Sequence, residues 1–172
     1  MLEPISAPAV KTYAGPLPAE VIRAMENPKN RFGKYVLLVK LGQGGMGEVF
    51  KAWDTVLGRP VALKMPRTVG EDEIRRLYLE AQGAGRLSHP NIASVYEIAE
   101  AEGRHYIAMQ FIEGLTVEQA AGLGAPPAVR EIARWIRDAA RAAHYAHERG
   151  VIHRDFKPPN LMIDTEGRVY VM

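Results

Sequence analysis

A glycine-rich run between two β-type segments most strongly limits what this chain can fold into. Residues 42–47 read G-Q-G-G-M-G, directly after the apolar run 35–39 and directly before 48–53. Glycines at these spacings let backbone N–H groups approach phosphate oxygens, because no Cβ intervenes. A tight hairpin turn would use the same residues, so the run alone is a weak signal. A dinucleotide-binding fingerprint needs a helix after the glycines. Here a strand follows, which favours a flexible flap over phosphates.

The bulk composition narrows the class of protein. The 172 residues are 47% hydrophobic, enough for the core of one ordinary domain. With 22 basic and 20 acidic residues, the chain has a net charge of only +2. This charge gives no indication of a nucleic-acid partner or an anionic membrane partner, and we expect neither. The absence of cysteine excludes disulfides, thiolate metal sites and a cysteine nucleophile, and favours the cytoplasm. No apolar run approaches the roughly 18 residues of a membrane span, and the first residues lack a secretory signal.

The order of periodic segments predicts an α+β fold. A β-type pattern recurs in five short segments, and their short links predict a five-stranded antiparallel sheet. One main helix, residues 71–87, interrupts this series. The strands are expected at 35–39, 48–53, 60–64, 94–99 and 105–110.

After residue 112 the pattern becomes mostly helical, with a long helix at 127–149 and short strands from 161 and 168. We therefore divide the chain into three parts. Residues 1–31 form a flexible Pro/Ala-rich arm, with a short helical turn at 19–25; residues 32–112 form the first lobe and a hinge; residues 113–172 begin a second lobe.

Two charged residues lie in apolar surroundings. Lys64 ends the strand V-A-L-K, where its ammonium group either reaches solvent or meets an anion. Glu80 shares a helical face with Leu77 and Ala84. It is either exposed at the edge of that face or buried and paired with a cation, for which Lys64 is the natural candidate.

The polar segment 153–160, H-R-D-F-K-P-P-N, concentrates groups that can do chemistry. Asp155 and Asn160 could direct one oxygen donor at a nucleophilic hydroxyl and the other at a metal. Lys157 between them could neutralise a phosphate in transfer. An ordinary polar surface loop is the alternative, but it explains the flanking apolar residues poorly.

In order and spacing, these segments resemble the signature motifs of protein kinases. The glycine-rich run, V-A-L-K at 61–64, the helical Glu80 and H-R-D-F-K-P-P-N all match, over about residues 32 to 172. The H-P-N at 89–91 is similar to the segment that follows the main helix of the kinase N-lobe. Lys157 in the K-x-x-N pattern resembles Ser/Thr kinases rather than Tyr kinases. The sequence as a whole resembles most a bacterial eukaryotic-type Ser/Thr kinase. The resemblance implies a protein-kinase-like N-lobe and the first part of a C-lobe.

The resemblance also implies ATP and Mg²⁺ as cofactors and a protein Ser/Thr hydroxyl as acceptor. Asp155 would accept or orient the hydroxyl proton, Lys157 would stabilise the transferred phosphoryl group, and Asn160 would hold one Mg²⁺. Lys64 would bind the α- and β-phosphates and pair with Glu80. The remaining residues that the resemblance places around the nucleotide are Leu41, Gly42, Gln43, Gly44, Gly45, Met46, Gly47, Glu48, Val49, Ala62, Met109 as gatekeeper, Gln110 and Ile112 through main-chain groups, and Met162.

The sequence departs from the family where it stops, in the apolar segment 169–172. In the family an Asp-Phe-Gly follows, and its Asp is the principal Mg²⁺ ligand. We therefore expect a truncated domain with little or no phosphotransfer activity by itself.

Three other interpretations compete with the kinase assignment. A small-molecule phosphotransferase of kinase-like fold would share the catalytic Asp, but Arg154 and Lys157 together favour a protein substrate. A pseudokinase-like binding or scaffolding module is the alternative from a different class. Zinc held by His144, His147 and His153 would lack a fourth ligand.

Overall fold

The computed structural model describes residues 13–44, 47–67, 70–124 and 127–172, without the side chains of residues 72, 73 and 76. The expectations for Gly45, Met46 and the first 12 residues lie outside this description. The described chain contains four α-helices and nine strands. The helices are α1 (Ala19–Met25), α2 (Glu71–Gly85), α3 (Val117–Gly122) and α4 (Val129–His147). The strands are β1 (Arg31–Phe32), β2 (Tyr35–Gly44), β3 (Gly47–Asp54), β4 (Arg59–Met65), β5 (Val95–Ala101), β6 (Arg104–Gln110), β7 (Gly114–Thr116), β8 (Leu161–Asp164) and β9 (Val169–Val171).

The larger sheet is antiparallel throughout, with the strand order β1-β2-β3-β4-β6-β5. The five predicted strands are confirmed, and β1 is an addition. Its two residues, Arg31 and Phe32, are too few to show a period-2 pattern in the sequence. They pair with Val36 and Tyr35 across a turn at Gly33, whose φ of 54° suits glycine.

The two faces of this sheet have different roles. In β3 and β4, Phe50 lies opposite Leu63 and Ala52 lies opposite Val61, and the side chains of such pairs share a face. This face packs into a core with Phe32, Tyr35, Met65, Tyr106 and Ala108. The opposite face therefore carries the alternate residues, including Lys64.

Helix α1 spans Ala19–Met25, where the sequence predicts a short helical turn within the N-terminal arm. The predicted helical turn forms, and its Val21 is fully buried against Val36 and Trp53. Lys51 on β3 adds an ion pair with Glu20, 2.9 Å between Nζ and Oε1. A seven-residue helix has too few turns for periodicity to reveal its buried face, and its partners lie more than ten residues away along the chain.

The second part of the chain packs α4 against a three-stranded sheet with the order β7-β8-β9. Trp135 lies in this core, and its Nε1 donates to Gly167 O at 3.1 Å. The core also contains Ala139, Ala142, Leu161, Ile163, Val169 and Val171.

The short elements β7 and α3 were not predicted. Gly114 in β7 approaches β8 so closely that an added Cβ would lie 1.8 Å from Ile163 O. Thr116 and Gln119 then cap α3 reciprocally, each side chain accepting from the other residue's backbone N–H. Within the described ranges, no helix is long and apolar enough to cross a bilayer.

Candidate active site

The β2–β3 hairpin presents the glycine-rich run. Gly42 pairs with Val49, and Gly44 pairs with Gly47. Among the described residues, a Cβ added at Gly42 or Gly44 would meet nothing within 4 Å, so they leave space for a group to approach this backbone. Gly47 has a different role: its φ is 120°, and an added Cβ would lie 2.1 Å from Met65 O. The run therefore combines an open backbone with one position that packing reserves for glycine.

Strand register brings four predicted nucleotide residues to one face of the sheet. Val49 lies opposite Lys64, and Ala62 lies opposite Met109. Because Ala62 and Lys64 are two residues apart on β4, all four side chains share that face. Ala62 is buried and the other three are half-buried. The structure thus assembles these residues under the glycine-rich hairpin.

The structure does not form the predicted pair of Lys64 and Glu80. Glu80 is exposed, while its neighbour Ala81 is buried. Consecutive helical residues point about 100° apart, so the packing of Ala81 turns Glu80 toward solvent. Across the described residues, the ion pairs include neither Lys64 nor Glu80. In this structure Glu80 follows the exposed alternative of the sequence interpretation.

The hinge follows β6. Gln110 donates its backbone N–H to Ser94 O at 2.8 Å, so of its two main-chain groups only the carbonyl can serve a ligand. Ile112, in the hinge, is buried. Leu41, on β2 just before the glycine-rich run, is 49% exposed. Met162 on β8 pairs with Thr116 and Tyr170, on the face opposite the buried Leu161 and Ile163.

The segment 153–160 gathers its three predicted functional side chains into one cluster. Lys157 Nζ lies 2.9 Å from Asp155 Oδ1. Asn160 donates its amide nitrogen to both Asp155 O and Asp155 Oδ2, each at 2.8 Å. The hydrogen bond from Lys157, and after it that from Asn160, holds the pKa of Asp155 below its usual range. The carboxyl group is therefore ionised near neutral pH and able to accept a proton.

Backbone constraints hold this cluster in place. Arg154 adopts φ 60°, an uncommon conformation for a residue with a side chain. Asp155 N donates to His153 O at 2.8 Å, and His153 Nε2 lies 2.7 Å from Met172 O. Met172 N donates to Asn160 O at 3.0 Å. The residue that follows β9 thus holds both ends of the segment.

Asn91 is a residue of this region to which the sequence interpretation gave no role. Its Nδ2 donates to Val169 O at 2.7 Å, and its carbonyl accepts from Val171 N at 2.8 Å. The polar H-P-N sequence at residues 89–91, directly after α2, could have indicated a role for Asn91. Asn91 connects the α2–β5 link to β9, and Met172, the residue after β9, bonds both ends of the segment 153–160.

The side chain of Glu48, which was expected near the nucleotide, forms ion pairs within the protein. Its Oε1 lies 2.6 Å from Lys40 Nζ, and its Oε2 lies 3.3 Å from Arg104 Nη2. Lys40 also donates to Gln43 Oε1 at 2.6 Å. The side chains of Glu48 and Gln43 are thus engaged with protein cations, which leaves their main chain for any contact with phosphate.

Comparison with known proteins shows the family of this chain. The model of the protein kinase domain family matches residues 35–172. Serine/threonine-protein kinase PrkC of Bacillus subtilis is 37% identical over 142 residues, which cover 81% of this chain and 22% of that protein. Serine/threonine-protein kinase PknB of Mycolicibacterium smegmatis is 39% identical over 155 residues, covering 86% of this chain and 25% of that protein.

Solved structures show the same likeness. The crystal structure of the kinase domain of Mycobacterium tuberculosis PknI superposes with a TM-score of 0.70 at 31% identity. The match covers 82% of this chain and 59% of that one. The chain thus spans under a quarter of PrkC and somewhat over half of the PknI kinase domain. It belongs to the protein kinase family, and its relatives are bacterial Ser/Thr protein kinases.

Proposed function

We propose that the protein to which this chain belongs transfers the γ-phosphoryl group of ATP to a Ser or Thr hydroxyl of a protein substrate. The observation that carries the proposal is the cluster of Asp155, Lys157 and Asn160, joined by contacts of 2.8 to 2.9 Å. The three side chains combine a proton acceptor, a cation and an amide in one short segment. Kinase chemistry needs these groups for positioning and charge stabilisation.

The phosphates of ATP would lie beneath the glycine-rich hairpin. The space beside Gly42 and Gly44, where an added Cβ would meet no described atom within 4 Å, would let phosphate oxygens approach this backbone. Lys64, on the face shared with Val49 and Ala62, would supply the balancing positive charge. The adenine would lie against Ala62 and Met109 and meet main-chain groups of Gln110 and Ile112.

The transfer itself would depend on the Asp155 cluster. The ionised Asp155 would take the proton of the acceptor hydroxyl while the hydroxyl oxygen forms a bond to the γ-phosphorus. The bond from that phosphorus to the bridging oxygen breaks, and ADP keeps the electron pair. Lys157 would neutralise charge on the moving group. A kinase acting on proteins fits this arrangement better than a small-molecule enzyme, because its relatives are named Ser/Thr protein kinases.

The Mg²⁺ expected for the family fits Asn160 only in part. The Asn160 amide nitrogen faces Asp155, which leaves the amide oxygen as the atom that could bind a hard cation. When bound, Mg²⁺ neutralises phosphate charge. Over the described part of the chain, no group of three or more His, Asp or Glu side chains could hold a metal. We also propose that residues 1–172 alone bind nucleotide but turn it over little, because their match spans only 59% of the PknI kinase domain.

The Lys64–Glu80 pair belongs to the same proposal. Glu80 would reach Lys64 only after α2 turns or shifts toward the sheet. Nucleotide phosphates at Lys64 would favour that shift if the paired state binds them better.

Purified chain tests the proposal directly. We expect saturable binding of ATP, tighter with Mg²⁺, together with phosphorylation of a Ser/Thr-containing test protein far below that of an intact kinase domain. Absence of ATP binding would contradict the nucleotide site. Turnover comparable with an intact domain would contradict the proposed weakness of the isolated chain.

A further inference from the structure

Helix α1 lies outside the kinase family match yet is packed into the first lobe. The match begins at residue 35, whereas α1 spans Ala19–Met25. Val21 is fully buried against Val36 and Trp53. Asn30 donates its side-chain amide to Ala24 O at 2.9 Å, which ties the link after α1 to the helix. The helix therefore precedes the matched residues but packs as part of the first lobe.

The position of α1 places it on the nucleotide face of the sheet. Val49, Lys51 and Trp53 alternate on β3 and so point to one side. Lys51 lies opposite Ala62, and Val49 lies opposite Lys64. Helix α1 contacts Trp53 and Lys51, at the end of β3 away from the glycines.

Lys51 connects three elements at this end. Its Nζ lies 2.9 Å from Glu20 Oε1 of α1 and 5.3 Å from the ring centroid of Phe111. Phe111 stands in the hinge between Gln110 and Ile112, the two residues expected to meet adenine. The Lys51 side chain is only 20% exposed, so its ammonium group is partly withdrawn from water. A partly desolvated cation stays against an aromatic ring most readily when an anion balances its charge.

We propose that α1 is a strap that positions the hinge for the adenine base through Glu20, Lys51 and Phe111. The inference rests on the proposed nucleotide function for its effect on ATP affinity. Without the Glu20 carboxylate, Lys51 would turn its flexible stem toward solvent and release Phe111. The hinge would then hold its adenine-facing groups less firmly, while the buried Val21 would keep α1 in place.

The test uses the 172-residue chain and the variant Glu20→Gln, which keeps size and removes charge. Amide hydrogen exchange of residues 110–112 reports hinge order, and titration with MgATP reports affinity. We expect faster hinge exchange and a Kd raised about two- to fivefold, the range of one cation–π contact. Glu26→Gln is the matched control, since Glu26 is exposed and takes part in none of the ion pairs of the described residues. It should leave both measurements unchanged.

A double-mutant cycle separates the strap from a general structural effect. Lys51→Met should reproduce the change in hinge exchange, and Lys51→Met with Glu20→Gln should be no worse than either single variant. The proposal would be wrong if the effects of the two substitutions on hinge exchange were additive. It would also be wrong if Glu20→Gln exchanged at residues 110–112 as slowly as the unchanged chain. If the unchanged chain binds no ATP, the proposed function fails. The hydrogen-exchange rates of residues 110–112 still test whether α1 positions the hinge.

Discussion

Asn160 donates its side-chain nitrogen to Asp155 Oδ2 at 2.8 Å, and to the Asp155 carbonyl at the same distance. The two bonds fix the carboxylate to its own backbone segment. Lys157 approaches the other carboxylate oxygen at 2.9 Å. Both oxygens of Asp155 therefore have a donor before any substrate arrives.

The first prediction concerns the pKa of Asp155. Both partners lower this pKa, and the Lys157 hydrogen bond has the larger effect. Lys157→Met should therefore raise the pKa of Asp155 more than Asn160→Ala does. Carbon-13 NMR titration of the Asp155 carboxyl group measures both shifts. The reverse order would contradict the arrangement, and Lys29→Met, remote in sequence and exposed, should leave the titration unchanged.

The second prediction concerns Lys64, which shares its face of the sheet with Val49 and Ala62. Lys64→Met should weaken ATP binding about 10- to 100-fold, since a hydrogen bond to a charged group contributes about 1.5–3 kcal/mol. Isothermal titration with MgATP measures the loss, with Lys29→Met as the control. Unchanged affinity in Lys64→Met would remove this residue from the nucleotide site.

The third prediction separates two glycines of one hairpin. Gly47→Ala should lower the free energy of unfolding by about 1–3 kcal/mol, because its φ of 120° disfavours a side chain and the new Cβ would meet Met65 O. Gly42→Ala has open space around it and should change stability little. Urea denaturation measures both variants. Equal stability losses would contradict this division of roles.

Gly42→Ala should nevertheless weaken ATP binding. Its methyl group would enter the open space where phosphate is proposed to approach the backbone. An ATP titration beside the denaturation curve checks this. Full affinity in Gly42→Ala would place the phosphates away from Gly42.

The fourth prediction concerns acid stability of the first lobe. Burial acts to raise the pKa of Glu97, but hydrogen bonds from Lys34, Tyr106 and Tyr35 outweigh it, so that pKa is lowered. A lowered pKa means that the stabilisation is complete above the unfolded value, about 4.3. It is lost as the pH falls through the lower folded value.

Glu97→Gln should therefore lower the free energy of unfolding at pH 7 by about 1–2 kcal/mol. It should also flatten the fall in stability as the pH drops from the unfolded pKa of about 4.3 through the lower folded pKa. Glu113→Gln, an exposed carboxyl in none of the ion pairs of the described residues, should retain the unchanged pH profile. Denaturation at a series of pH values measures all three chains. A variant profile as steep as that of the unchanged chain would exclude Glu97 as the titrating group.

Local patterns in the sequence determined much of this protein. The alternation of apolar residues was enough to predict the five main strands, and the 3.6-residue period was enough for α2 and α4. The motif 153–160 was enough to select Asp155, Lys157 and Asn160 as candidates, and Asp155 contacts both of the others. These features depend on residues close in sequence, so the chain itself carries their signal.

Tertiary packing decided the rest. Lys34 Nζ meets Glu97 Oε2 at 2.5 Å across 63 positions, and no local period encodes such a contact. Burial of Ala81 turned Glu80 to solvent, and the apolar contact of Val21 with Trp53 brought α1 onto the sheet. In each case the free energy comes from surfaces that meet only after the strands have paired. The sequence alone therefore determined which groups the chain carries, and packing determined which of them meet.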